Sequence, residues 1–313
     1  MHGSDGRRRG WLLCILGAVL SLATAVPAEA AGTATPNDPY FVGHDQWPLA
    51  GQPASINAPG VWTASTGAGV LIADIDTGAD FNHPDLARKL VPGGRFTRCD
   101  GTLQATDQAS VQDDVGHGTM TTGLMVADTN NGVGIAAVAP DAKALILKVI
   151  DKAGKGCDPD VAAAIKYAVT RGAKVINISL GSDIPLAPLL AGSGIPDAVR
   201  AAAQSGAAVA LIAPYSTSGS GVNIYAPGGD SGQSTSGPHA KGQVLSTAIT
   251  NGGYKAEQGT SFAAPHVAGV LALLLACGLN ASQARQRILA TARTSGGTPR
   301  LDAAAAVHGA GHC

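Results

Sequence analysis

From about residue 70 onward, apolar runs of strand length alternate with longer helical patterns, and this alternation constrains the fold more than any other feature. Val70–Ile75 (VLIADI), Ala144–Val149 (ALILKV), Ala173–Leu180 (AKVINISL) and Ala207–Ala213 (AAVALIA) each have the length of a buried strand. Helical patterns over Asp160–Thr170 and Asp197–Ser205 separate them, and Gly259–Cys277 reads as a buried helix. Strand, turn and helix in succession predict an α/β fold with a mostly parallel central sheet, because parallel neighbours need a long crossover. Functional-looking residues gather where these strands stop. Ligands in such sheets sit beyond the carboxyl ends of the strands, so a site is expected there. Residues 214–258 are rich in Gly, Ser and Pro and carry no clear element, and no internal repeat is visible.

Charge limits the partners. Lys and Arg number 21 against 22 Asp and Glu, and charged residues make up only 14% of the chain. No basic field exists to attract a phosphate backbone, so nucleic acid is excluded as a partner. The only apolar run approaching membrane length lies at the start, where Arg7, Arg8 and Arg9 precede Trp11–Val26 and Ala28-Glu29-Ala30 follows. That pattern reads as a secretory signal peptide over residues 1–30, with a short linker at 31–37 and one domain over 38–313. The expected product is secreted, monomeric and free of the membrane. Export leaves four cysteines in an oxidising compartment, Cys99, Cys157, Cys277 and Cys313, which suggests two disulfides. Three pairings are open. Cys99–Cys157 with Cys277–Cys313 is favoured, since a bridge to Cys277 would tie down the last residue.

Three segments carry chemistry: Asp76-Thr77-Gly78, Gly116-His117-Gly118-Thr119, and Gly259-Thr260-Ser261-Phe262-Ala263-Ala264-Pro265. Each alone is weak, since Asp-Thr-Gly is usually a turn and Thr-Ser before a helix is usually a cap. Together they supply an acid, a base and a nucleophile. A serine hydroxyl attacks poorly until an imidazole takes its proton, and a buried carboxylate must orient that imidazole. Asp76 ends a buried strand, and glycines flank His117 so that other backbone can come close. Ser261 precedes a predicted helix whose N-terminal N–H groups can stabilise an oxyanion. The chain order Asp, His, Ser is one of the few in which such triads occur.

On these residues the chain resembles the subtilisin-like serine proteases, the subtilase family, and most closely its thermitase-like branch. The likeness runs from about Asn37 to about Val307. It includes Asn37-Asp38-Pro39-Tyr40-Phe41, Asp74–Gly78 with His83-Pro84-Asp85-Leu86, Ile176–Gly181, Ala226-Pro227-Gly228 and the nucleophile block Gly259–Gly269. The resemblance implies a three-layer subtilisin-like fold and hydrolysis of polypeptides, with Asp76 orienting, His117 acting as base and then acid, and Ser261 attacking. It further implies that Gly154-Lys155-Gly156 and Ser179-Leu180-Gly181 hold the substrate as an added strand. A structural Ca2+ is implied too, held by Asp38, Asp85, the Asn131 side-chain oxygen and the carbonyls of Thr129, Val133 and Ile135. Two carboxylates among six oxygens suit a hard cation.

The resemblance breaks in one place. After its fourth strand the family has Ala-Gly-Asn, whose Asn donates to the oxyanion, whereas this chain reads Ile212-Ala213-Pro214-Tyr215-Ser216 and soon reaches Gly221-Val222-Asn223. A segment of roughly thirty residues near 213–216, long enough to hold a core strand, is therefore expected to be missing. Turnover is expected to suffer, with Tyr215 and Asn223 the remaining candidates for the lost donor. Met120 also stands where the family commonly has a histidine, and no folding propeptide is expected between the signal and Asn37. Two other readings follow. A secreted pseudoprotease would bind extended peptides without cutting them. An aspartic protease would pair Asp76-Thr77-Gly78 with Asp230-Ser231-Gly232, but the α/β pattern disfavours it and it leaves His117 and Ser261 without a role.

Overall fold

The structure is a computed structural model that describes residues 35–50, 53–180, 194–211, 223–230, 242–250, 253–295, 297–310 and 313. Its centre is a five-stranded parallel sheet made of β1 (Leu71–Asp76), β2 (Leu90–Arg95), β3 (Lys143–Lys148), β4 (Val175–Ile178) and β5 (Ala208–Leu211), in the order β2-β3-β1-β4-β5. Four of these are the apolar runs read from the sequence, each within a few residues of its expected bounds.

Alternation along the strands sorts their side chains into two cores. Ile72, Ala144, Ile146, Val175, Ala208 and Ala210 point to one face and Ala73, Ile75, Leu145, Leu147, Ile176 and Ile178 to the other. Helices α2 (His117–Val126) and α5 (Ala263–Ala276) cover the first face. Helices α3 (Asp158–Thr170) and α4 (Ile195–Gln204) cover the second, completing three layers. Sheets buried on both faces read as continuous apolar runs, which is why these strands were visible. A short α1 (Pro39–Val42) precedes them, and α6 (Ala281–Ala290) and α7 (Ala303–His308) follow α5.

Strand β2 and a later hairpin were among the elements not legible in the sequence. Strand β2 has the sequence LVPGGR, and its register shifts between Pro92 and Gly94. It lies at the sheet edge, where a proline need not donate to a neighbour. The hairpin of β6 (Val244–Thr247) and β7 (Tyr254–Glu257) falls in the stretch without a clear element. It packs on α2 through hydrogen bonds from Ser246 Oγ to Met120 O at 2.6 Å and from Thr247 Oγ1 to Thr119 O at 2.7 Å.

The structure joins Cys99 to Cys157 and Cys277 to Cys313, the pairing favoured from the sequence. Asp160, fully buried, accepts hydrogen bonds from the N–H groups of Cys99 at 2.8 Å and Gly101 at 2.9 Å, which seats the first bridge on α3. The expected signal peptide and the expected deletion near 213–216 lie outside the described residues. No single helix among the described residues is long and apolar enough to cross a membrane.

Candidate active site

The central strand positions the acid. Asp76 is the last residue of β1, 1% exposed, and accepts a hydrogen bond from its neighbour's N–H, Thr77 N to Oδ1, at 2.7 Å. His117 is the first residue of α2, and its Nδ1 lies 2.8 and 2.9 Å from the two Asp76 carboxylate oxygens. The imidazole side chain is 30% exposed, so the nitrogen away from Asp76 is open to a reacting group.

Glycine makes this contact geometrically feasible. A Cβ at Gly118 would stand 2.1 Å from the Gly78 carbonyl oxygen and 3.1 Å from Asp76 Cβ. The turn after β1 and the start of α2 therefore touch backbone to backbone. One residue not identified from the sequence binds them. Asp113 Oδ1 accepts from Thr77 Oγ1 at 2.9 Å and Gly116 N at 2.8 Å, and Oδ2 accepts from Thr119 N at 2.9 Å and Thr119 Oγ1 at 2.6 Å. Gly118 N donates to Thr77 Oγ1 at 2.8 Å, so the two motifs share one network. The only sequence signal for Asp113 was an acidic residue shortly before a glycine-flanked histidine.

The nucleophile candidate arrives from another element. Thr260–Phe262 form a single 3-10 turn ahead of α5, entered through Gly259 with φ 154°. Gly259 N donates to Gly228 O at 2.7 Å, which holds Ala226-Pro227-Gly228 against this turn. The ring of Phe262, adjacent to Ser261, lies 5.7 Å from the His117 ring, centroid to centroid. The turn thus sits beside the Asp76–His117 pair, and among the described residues Ser261 makes no hydrogen bond to His117. Catalytic contacts of this kind are commonly long before substrate closes them.

Electrostatics at the pair favour the imidazolium. Burial alone would lower the His117 pKa, but the Asp76 charge and hydrogen bond, with Asp74 and Asp113 behind them, outweigh it and push the pKa up to about 9. His266, on α5, shows the opposite case. It is fully buried, donates Nδ1–H to Phe262 O at 2.7 Å, and burial lowers its pKa to about 4, so it stays neutral.

The two substrate-edge candidates follow β3 and β4, the strands on either side of β1. Gly154, Lys155 and Gly156 lie in an exposed loop closed by the Ile150–Gly156 bridge, with Asp151 Oδ1 accepting from Lys155 N at 3.0 Å. Ser179 is buried and Leu180 half-buried, while Gly181 lies outside the described residues.

The cation candidates also converge. Asn131 donates its backbone N–H to Asp38 Oδ1 at 3.3 Å and its side-chain Nδ2 to Asp85 Oδ1 at 2.8 Å, tying together two fully buried carboxylates. Neither carboxylate has an ion-pair partner among the described residues. Burial drives both pKa values up, that of Asp85 to about 6. A Cβ at Gly134, φ 58°, would stand 2.5 Å from Asp85 Oδ2, so the loop 129–135 wraps this carboxylate closely. The Asn131 Oδ1 accepts from Val133 N at 2.7 Å, which leaves its second lone pair for a cation.

Comparison with known proteins settles the class. The Subtilase family profile matches residues 67–211 and 198–306. The chain belongs to the subtilase family. It is 37% identical to thermitase of Thermoactinomyces vulgaris over 294 positions, covering 84% of this chain and 94% of that protein. It is 34% identical to a thermophilic serine proteinase of Bacillus sp. strain AK1, covering 84% of this chain and 65% of that protein. Among solved structures, a protease of Pseudoalteromonas arctica PAMC 21717 matches with a TM-score of 0.76 and 30% identity, over 88% of this chain and 100% of that one. As a subtilase, the chain is a subtilisin-like serine endopeptidase, and the aspartic-protease reading falls. Asp230 is in any case exposed, while Asp76 is buried.

Proposed function

We propose that this chain is a secreted endopeptidase that hydrolyses polypeptides through Asp76, His117 and Ser261. The observation that carries the reading is the Asp76–His117 pair, at 2.8 and 2.9 Å, beside the turn that bears Ser261. In this reading Ser261 Oγ attacks the scissile carbonyl as His117 Nε2 takes its proton. Asp76 holds the Nδ1–H tautomer and stabilises the imidazolium, which then protonates the leaving amine. Backbone N–H groups at the turn that opens α5 face the oxyanion. The loop 154–156, which follows β3, and Ser179-Leu180-Gly181, which follow β4 in sequence, hold the peptide as an added strand.

The lost Asn segment lowers turnover in this account. Removal of one oxyanion donor in subtilisin costs about 100- to 1,000-fold in kcat. The family profile matches the chain as two stretches, residues 67–211 and 198–306, and their overlap lies just ahead of the proposed break, which supports a missing segment there.

A structural calcium belongs to the same proposal. Two buried carboxylates facing one loop with no cationic partner fit a hard cation. Asp38, Asp85, Thr129, Asn131, Val133 and Ile135 would hold it, and its charge would neutralise the two aspartates. The protein works as a monomer outside the cell.

A serine-directed organophosphate tests the function. Labelling at Ser261, with loss of peptide hydrolysis in Ser261→Ala, is expected. An unlabelled protein that still retains extended peptides would instead make it a binding protein without turnover.

A further inference from the structure

The face of β1 that carries Asp76 carries a second buried acid. Asp74 lies two residues earlier on the strand, so its side chain points to the same side, toward α2. It is 1% exposed. The registers of helix and strand explain the match. One turn of α2 takes His117 to Thr121, a rise close to that of two strand residues, so His117 meets Asp76 and Thr121 meets Asp74. Asp74 Oδ2 accepts from Thr121 Oγ1 at 2.9 Å and Thr122 Oγ1 at 2.7 Å, and Oδ1 accepts from Asn177 Nδ2 at 2.8 Å.

All three partners donate, which is the arrangement that supports a carboxylate rather than a carboxylic acid. No basic side chain pairs with it among the described residues. A solvent-free carboxylate held only by neutral donors is costly, and a role in the fold alone would be met by an apolar residue at this position. The network has room for both charge states. Asn177 Oδ1 is buried without a partner, and Thr121 Oγ1 also lies 3.0 Å from Gly118 O. If Asp74 takes a proton, Thr121 keeps its bond to Gly118 O, and Asn177 Oδ1 accepts once the amide turns toward the carboxyl.

We propose that Asp74 is a positioning residue for the Asp76–His117 pair: its buried charge, clamped by Thr121, Thr122 and Asn177, tightens the hold on the His117 proton and moves the acid limb of peptide hydrolysis to higher pH. The proposal rests on the triad reading above. Burial, with Asp76 adding, drives the Asp74 pKa up to about 7 against its three hydrogen bonds. Its charge therefore appears across the neutral range, where it reinforces the imidazolium, so the two groups titrate together.

The ionisable groups around it are few. On β1 there is Asp76, and on α2 there is His117. Asp113, ahead of α2, also acts on His117. On β3, Lys148 turns its ammonium to Thr77 O, Gln112 O and Asp114 Oδ1. On α5, His266 is neutral, β4 contributes only Asn177, and Ser179 just beyond it accepts at Oγ from Asn177 Nδ2 at 2.9 Å.

The test uses the exported chain with Asp74→Asn and, because that change removes a buried charge from a central strand, also the near-isosteric Thr122→Val. Two quantities are read: the pH dependence of kcat/KM on a peptide substrate, and the His117 titration followed by NMR in the Ser261→Ala background. Asp74→Asn is expected to lower both midpoints by about one pH unit while leaving the alkaline plateau within a few-fold. Thr122→Val, which weakens the carboxylate, is expected to move them the same way by less. Unchanged midpoints in both variants, with only the melting temperature altered, would overturn the proposal and make Asp74 structural. Because the NMR titration needs no turnover, failure of the triad reading would look different: the midpoint shift would persist in a protein that hydrolyses nothing and whose Ser261 takes no label.

Discussion

Gly118→Ala is the sharpest probe of how the site is held. By helix propensity the change should help, by at most the roughly 1 kcal/mol that favours alanine over glycine in a helix interior, since Gly118 is the second residue of α2. The local geometry says otherwise. The new Cβ would stand 2.1 Å from Gly78 O and 3.1 Å from both Gly78 N and Asp76 Cβ. Relief requires about 1 Å of backbone movement, because the nearest atom belongs to main chain and no rotamer can avoid it. Gly118 cannot retreat alone, since its N–H is bound to Thr77 Oγ1 at 2.8 Å and the flanking Gly116 and Thr119 are both bound to Asp113. Overpacking of this sort costs about 1–3 kcal/mol. Set against the propensity gain, the net loss is about 0–2 kcal/mol, which for a chain of this size lowers Tm by only a few degrees. Activity should suffer far more. The displaced residues are those that set the Asp76–His117 contact, and a misplacement of 1 Å at a catalytic group costs about 100-fold. The assay pairs kcat/KM on a chromogenic peptide with a thermal melt. A variant within twofold of the parent in kcat/KM would refute the claim that the backbone contact at Gly78 sets the catalytic geometry.

Two further outcomes are expected. Removing calcium with a chelator should lower Tm more at pH 8 than at pH 5: the folded pKa of Asp85, about 6, lies above its unfolded value of 3.8, so the metal-free protein loses stability as pH rises through that window. An equal effect at both pH values, or none, would remove the cation from Asp38 and Asp85. Replacing Cys99 and Cys157 together by serine opens a loop of 58 residues, which in the chain-entropy view costs about 4 kcal/mol. A double variant with unchanged Tm would show that the bridge adds nothing beyond the packing around Asp160.

Much of this molecule could be read from its sequence because burial imposes a pattern. Strands β1, β3, β4 and β5 are packed on both faces, and nothing but a continuous apolar run satisfies both cores. Asp76 stands at the end of β1 and Ser261 just ahead of α5, as the first strand run and the buried helical run predicted. Strand β2 was illegible since edge pairing places few demands on side chains, and Pro92-Gly93-Gly94 looks like a turn until its neighbour Ile146 is known. The start of α2 was hidden for the opposite reason. Its glycines serve contact with the Gly78 turn, a constraint set by another element and invisible in local propensity.

The same distinction separates Asp76 from Asp74. Asp76 was legible because a turn and a motif followed it, whereas Asp74 stood inside an apolar run and read as one strand residue among others. Only the third dimension shows that Thr121, Thr122 and Asn177, from two other elements, all donate to it. None of these three has a local reason to be polar: Thr121 and Thr122 weaken a buried helix, and Asn177 interrupts a core strand. Four polar residues that are each unfavourable alone and mutually satisfied together are best explained as one unit. Their position behind Asp76 directs that unit toward the proton on His117. The pH profile of Asp74→Asn is therefore the measurement that separates chemistry from architecture here.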